Sequence, residues 1–164
     1  VTLSEKFGSG EDANGYVSPE RYAEICTYVR EHLAPFDAKF GIGAHVAKGA
    51  VQMVGTSGTV TTLTGVFLKL PRYDRGRVHG RELEFGQLEG ARDTLLALDR
   101  QNRAAQPCTG DQRADLVIAG CAILDAICDL WPVGRLRVAD RGLWDGILHG
   151  LIRSADREAA SSGD

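Results

Sequence analysis

The sequence is short of most features that would point straight to a function. It has no long apolar run. The most hydrophobic stretch, 116–124, is about half of what crosses a bilayer, and Asp115, Asp125 and Asp129 bracket or follow it. No segment reads as a secretory signal, so the expected location is the cytoplasm, without membrane attachment. It has no excess of basic charge. A net charge of -3 over 164 residues argues against bulk electrostatic binding of nucleic acid. It has no CxxC pair among Cys26, Cys108, Cys121 and Cys128, which argues against a zinc site. Cys121 and Cys128 stand seven apart in one expected helix, roughly 10 Å along its axis and too far to bridge. Buried free thiols are therefore expected. His32, His45, His79 and His149 show no metal-ligand spacing, and no Ser/His/Asp set can be assigned. Internal repeats and low-complexity tracts are absent.

What is there is an ordinary domain's worth of apolar and charged residues, 43% and 25%, so disorder is expected only at the ends. The chain opens on Val1 rather than Met, and VTLSEKF reads as a strand already in progress, so further residues are expected upstream. Ser18-Pro19-Glu20 announces a helix: a capping hydroxyl, a proline in the first turn, an acid at the positive end of the dipole. Tyr22, Ile25, Cys26, Val29 and Leu33 form its apolar face, and Pro35 marks its expected end. The segment 36–49 is ambiguous. Val51 to Val54 is a short apolar run that enters Gly55-Thr56-Ser57-Gly58-Thr59, after which Val60, Leu63, Phe67 and Leu70 recur at helical spacing. A third helix carries Leu88, Ala91, Leu95 and Leu98. A fourth, capped by Asp111 and running over 112–130, is apolar nearly all round and should be central. The stretch 135–139 alternates as a strand, and a last helix is expected to turn Leu143, Ile147, Leu148 and Leu151 inward. Strands alternating with helices indicate an α/β fold with a partly parallel sheet. The expected domain spans 1–158, with a frayed tail at 159–164.

Four segments bear on chemistry. The turn VGTSGT sets backbone N–H groups, hydroxyls and a helix N-terminus where phosphate oxygens can meet them. It lacks the lysine of a P-loop and the spacing of a nucleophile elbow; a tight turn with no ligand is the competing reading. Arg72, Arg75, Arg77, His79 and Arg81 form a basic cluster, either a phosphate-facing arginine set or a solvated hairpin. Arg113 stands in the first turn of its helix, the unfavourable end for a cation. It either holds an anion or is offset by Asp115. Asp140 ends a strand before Gly142 and a helix, as a second site-facing turn or as a helix cap.

Taken in order, VGTSGTVTTL, RVHG, QRADLVIAGCAIL and VADRGLWDGIL resemble the Ppx/GppA phosphatase family over most of the chain. The resemblance implies a ribonuclease-H-like fold of the actin, sugar-kinase and heat-shock ATPase superfamily, with a mixed sheet and flanking helices. This chain would be the C-terminal actin-like domain of a two-domain enzyme. It also implies release of orthophosphate from inorganic polyphosphate. The alternative is action on guanosine pentaphosphate, or a binding module for guanosine tetra- or pentaphosphate without turnover. The substrate would lie in the interdomain cleft with a divalent metal, expected to be magnesium. By position, Gly55, Thr56, Ser57, Gly58, Thr59 and Arg113 would bind substrate phosphate. The family's DxGSNS and DIGGGSTE loops and its catalytic glutamate have no match here, so no catalytic residue is expected in this chain. The implied partners are the N-terminal domain and the polyphosphate or nucleotide, with pairing of two copies left open. One departure stands out: the family's GLREG reads Gly142-Leu143-Trp144-Asp145-Gly146, which removes an arginine and shortens a carboxylate.

Overall fold

A computed structural model describes residues 3–161. In chain order the elements are α1 (Leu3–Phe7), α2 (Pro19–Phe40), α3 (Ile42–Ala47), β1 (Met53–Gly55), α4 (Gly58–Phe67), α5 (Arg75–Val78), β2 (Glu82–Glu84), α6 (Phe85–Leu96), α7 (Arg100–Ala104), α8 (Asp111–Leu130), β3 (Arg135–Val138) and α9 (Leu143–Ser161). The sheet is small and mixed, in the order β1-β3-β2. β1 runs parallel to β3 (Val54 opposite Arg137), and β2 runs antiparallel to it (Leu83 opposite Leu136). Alternation puts Leu136, Val138 and Leu83 in the core and leaves Arg135, Arg137, Glu82 and Glu84 exposed on the other face.

The expected central helix is central. α8 packs on α2, α7, α6 and α4, and its Ala114, Ile118, Cys121 and Ala122 are buried. Its apolar character is not matched by burial all round, since Leu116 and Ile123 remain exposed. Its N-cap is Gly110 at φ 74°, with Asp111 as the first helical residue rather than the cap. The thiols of Cys26, Cys108, Cys121 and Cys128 are free. Burial pushes Cys26 up to about 11 and Cys121 and Cys128 up to about 12, so they stay protonated near neutral pH.

Three expectations are corrected. Residues 3–7 form a helix, not a strand; Val1 and Thr2 lie outside the described residues. Leu3 and Phe7 stand four apart, one helical turn, and the buried Phe7 ring meets Tyr28 of α2 edge-on at 5.3 Å. α2 continues through Pro35 to Phe40 and stops at Gly41, whose φ of 64° is the left-handed cap a glycine takes without strain. Pro35 cannot donate to the Glu31 carbonyl, but both residues are exposed and water can serve that group. The last helix does not turn its stripe inward: Trp144, Ile147, Leu148 and Leu151 are all exposed, Trp144 at 81%. The Leu143 side chain lies outside the described ones. α9 covers 159–161 of the tail expected to fray, and 162–164 lie outside the described residues.

Candidate functional site

The turn after β1 is made by close packing. A side-chain carbon on Gly55 would lie 2.8 and 2.9 Å from the two methyls of Val60, so the strand can fold back onto α4 only with glycine there. The Gly55 carbonyl accepts from the Ala139 N–H at 2.8 Å, which holds the end of β1 against the end of β3. Ser57 then caps α4. Its backbone is extended, and its Oγ accepts from the Val60 N–H at 3.3 Å. Thr59 abuts α8 at Gly120, where a side-chain carbon would come within 3.0 Å of the threonine Cβ. Gly120 thus lets α8 approach the loop.

Gly58 is the first residue of α4, and its φ does not lie in the left-handed region. Its role is space. A side-chain carbon there would face the Arg113 guanidinium, 3.7 Å from Cζ and 3.8 Å from Nη1. Gly58→Val is therefore expected to act by displacing Arg113 rather than by backbone strain. Melting temperature should change little, and if Arg113 holds phosphate as the resemblance implies, a tripolyphosphate titration should show binding several-fold weaker than in the unsubstituted protein.

Of the expected residues, Thr56, Ser57, Gly58 and Arg113 line one cavity, Thr59 lines only the pocket beside it, and Gly55 lines neither. A cavity of about 460 Å³ is walled by Thr56, Ser57 and Gly58 on one side and by Thr109, Gly110 and Arg113 on another, with Tyr73 and Asp140 closing it. Thr59 and Arg113 share a smaller pocket next to it with Leu116. The cavity sits at the carboxyl ends of β1 and β3, the end of an α/β sheet where ligands gather. The N-terminal ends of α4 and α8 both reach it, through Gly58 and Gly110, and the first N–H groups of each helix have no intrahelical partner.

Arg113 is exposed, and among the described residues no carboxylate pairs with it. Asp115, expected to offset it, binds Arg100 instead, through both carboxylate oxygens. Of the basic cluster only two members lean toward the cavity. Arg75 Nε donates to Asp140 Oδ2 at 2.8 Å, and His79 Nδ1 accepts from the Asp140 N–H at 3.1 Å. Arg72, Arg77 and Arg81 are exposed and do not line it. Asp140 caps no helix: its Oδ2 accepts from Arg75 and from the Tyr73 hydroxyl at 2.6 Å, while α9 begins at Leu143. Several wall residues are not visible in the sequence, Tyr73 and Thr109 among them. Tyr73 lies in a loop, and Thr109 is buried at 6% exposure with a hydroxyl that has no hydrogen-bond partner.

The Tyr73 hydroxyl, and after it the Arg75 guanidinium, hold the Asp140 carboxyl below its ordinary range. Burial, then the bond to Asp140, pushes Tyr73 up to about 12. A depressed carboxyl contributes stability above its unfolded pKa of about 4 and loses it as pH falls through the lower folded value. Asp140→Asn should therefore flatten the acid limb of the melting profile below about pH 4. The effect should stay under about 1 kcal/mol, because the pair is partly open to solvent. Melts between pH 6 and 2 check this; a steeper acid limb in the variant would contradict it.

The model of the Ppx/GppA phosphatase family matches residues 2–155. This chain belongs to that family. The Ppx/GppA match agrees with the fold. The crystal structure of the Aquifex aeolicus family member superimposes with a TM-score of 0.76 at 24% identity, over 93% of this chain and 46% of that one. Another structure of the Aquifex aeolicus enzyme gives 0.73 at 26% identity, over 90% and 45%. An exopolyphosphatase from Cytophaga hutchinsonii gives 0.69 at 20%, over 84% and 43%. The chain thus spans less than half the length of these structures. No curated protein matches it in sequence.

Within the Ppx/GppA frame, a divalent ion has no ligand set among the described residues, where no group of three or more His, Cys, Asp or Glu side chains converges. Among the described residues Asp140 is the one carboxylate on the cavity wall, and it is already engaged by Tyr73 and Arg75, which does not make a magnesium site. No described helix is long and apolar enough to cross a membrane.

Proposed function

We propose that this chain is one wall of the substrate cleft of an exopolyphosphatase. On this reading it is the second, actin-like domain of a longer enzyme that removes terminal phosphate from polyphosphate. The observation that carries the reading is Arg113: a guanidinium without an ionic partner among the described residues, set against Gly58 beside two helix N-termini. Such a setting gains from a bound anion. The arginine's charge, the dipoles of α4 and α8, and free backbone donors all favour phosphate oxygens. The unpartnered Thr109 hydroxyl adds a buried polar group to the same wall. Ser57 and Thr56 supply further hydroxyls.

The wall binds and orients; it does not hydrolyse. Cleavage of a phosphoanhydride needs a placed water, a base and a clamp on the developing charge. The one carboxylate on this cavity among the described residues, Asp140, is tied to Arg75 and Tyr73 and is a poor base. The other half of the cleft belongs to the partner domain. The exposed stripe Trp144, Ile147, Leu148, Leu151 on α9 supports such a partner, since four large apolar groups together on one helix mark a docking surface. A second reading, a nucleotide phosphohydrolase or a nucleotide-binding module, is supported by the carboxylate and phenol on the far wall.

The test compares orthophosphate release by the purified 164-residue chain and by a full-length protein containing it, with magnesium and long polyphosphate. The chain alone is expected to fold and to release none. Turnover within a factor of about ten of the full-length protein, roughly 1.4 kcal/mol of barrier, would place the chemistry in this half.

A further inference from the structure

Asp140, on the cavity wall, is held at three points, and all three belong to the segment 73–79. The Tyr73 hydroxyl and Arg75 Nε donate to Oδ2 of its carboxyl, and His79 Nδ1 accepts from its backbone N–H at 3.1 Å. That segment is itself fixed: Asp74 Oδ1 accepts from the Gly76 and Arg77 N–H groups, and Val78 is completely buried. The two N–H groups before Asp140 go to backbone carbonyls, that of Val138 to Arg81 and that of Ala139 to Gly55. At Asp140 a side chain supplies the acceptor instead, and histidine is the side chain whose charge ordinarily changes between about pH 5 and 8. A backbone N–H can only donate, so Nδ1 must offer a lone pair, and the ring proton sits on Nε2. An imidazolium carries protons on both nitrogens and cannot accept. His79 is exposed, so protons reach the ring. The charged groups around it are Asp140 and Arg141 after β3, Asp145 near Arg75, and Arg75, Arg77 and Arg81 of its own stretch.

We infer that His79 is a positioning residue: neutral, it tethers Asp140 and fixes that wall of the cavity, and protonated it lets the wall go, so that phosphate binds more weakly in acid. The tether is independent of the phosphate-binding reading; the effect on binding rests on it. While the tether holds, the Asp140 carboxyl is turned to Tyr73 and Arg75. Once released, the carboxylate is free to face the cavity and repel phosphate oxygens. The sign is diagnostic, because an imidazolium acting only through its charge would attract phosphate and strengthen binding in acid.

The experiment follows the ring nitrogens of His79 and the Ala139 and Asp140 amides by NMR of the full-length protein, between about pH 8 and about pH 5.5. At the upper end Nδ1 is expected bare and the Asp140 amide protected from exchange. As the ring titrates, that protection, corrected for the intrinsic pH dependence, should fall about fivefold with the same midpoint, the usual weight of one hydrogen bond. Ala139, held by Gly55, should keep its own. Tripolyphosphate is then titrated calorimetrically into the wild type and into His79→Asn, whose amide oxygen can take the Nδ1 position and accept at every pH. The two should bind alike near the upper pH, and the wild type should be about fivefold weaker than His79→Asn near the lower one. Comparison at one pH cancels the titration of the probe. His79→Leu, without an acceptor, should be about fivefold weaker than His79→Asn at both. A proton on Nδ1 at the upper pH, an Asp140 amide that ignores the titration, or a wild type that equals or exceeds His79→Asn in acid overturns the inference. If none of these proteins binds tripolyphosphate, the phosphate reading falls and the effect on binding with it, while the two amides still decide the tether.

Discussion

Arg103→Ala is expected to cost about 3–5 kcal/mol of folding stability, much of what a domain of this size has. The side chain is completely buried, and all five of its donors are used. Nε donates to the Leu95 carbonyl at 3.3 Å. Nη1 donates to Glu11 and to the Ala114 carbonyl, and Nη2 to the Gly15 and Leu98 carbonyls. One guanidinium thus joins the 8–15 loop, the α6–α7 connection and the first turn of α8. Truncation leaves Glu11, itself only 9% exposed, as an uncompensated charge, and removes one donor from each of four carbonyls, of which that of Leu95 keeps the Leu98 N–H. Lysine is no substitute, because it has three donors on a point charge and no planar fork. Since Ala114 is next to Arg113, the loss should also loosen the cavity wall. Urea unfolding measures the effect, and a loss below about 1 kcal/mol would mean that the network adds nothing net.

The second large effect is on function. On the proposed reading, Arg113→Ala in a full-length protein containing this chain is expected to lower kcat/KM for long polyphosphate tenfold or more, about 1.5–3 kcal/mol for one charged contact to phosphate. Stability should hardly change, because the side chain is exposed and no described carboxylate depends on it. Steady-state kinetics beside a thermal melt separates the two. An unchanged kcat/KM with an intact fold would return Arg113 to the ordinary surface.

These two arginines also mark what a sequence can and cannot reveal. The unit from β1 through Ser57 to α4 is legible because its causes are local: a short apolar run, two glycines, a capping serine and a helical period. The centrality of α8 is legible for the same reason. Arg103 is not, since it lies in a polar stretch and its ionic partner is 92 residues away. The freedom of Arg113 is hidden too. Asp115 looks like a neighbour, but residues two apart on a helix point to opposite sides, and Asp115 turns to Arg100. Periodicity identifies the stripe on α9 without saying what covers it. The pattern of 1–7 misleads because apolar residues four apart also satisfy a helix, and only the α2 surface under Phe7 decides between the two.

The central claim is that phosphate binds between the α4 and α8 N-termini at Arg113, and an NMR titration with tripolyphosphate tests it most directly. The account predicts saturable amide shifts concentrated at 56–60 and 110–113, with smaller ones at Tyr73 and Asp140, all abolished by Arg113→Ala. Shifts centred on the groove between α2, α6 and α8, where Arg30 and Arg92 already pair with Asp129 and Asp125, would contradict it, as would saturable shifts at 56–60 that persist in Arg113→Ala.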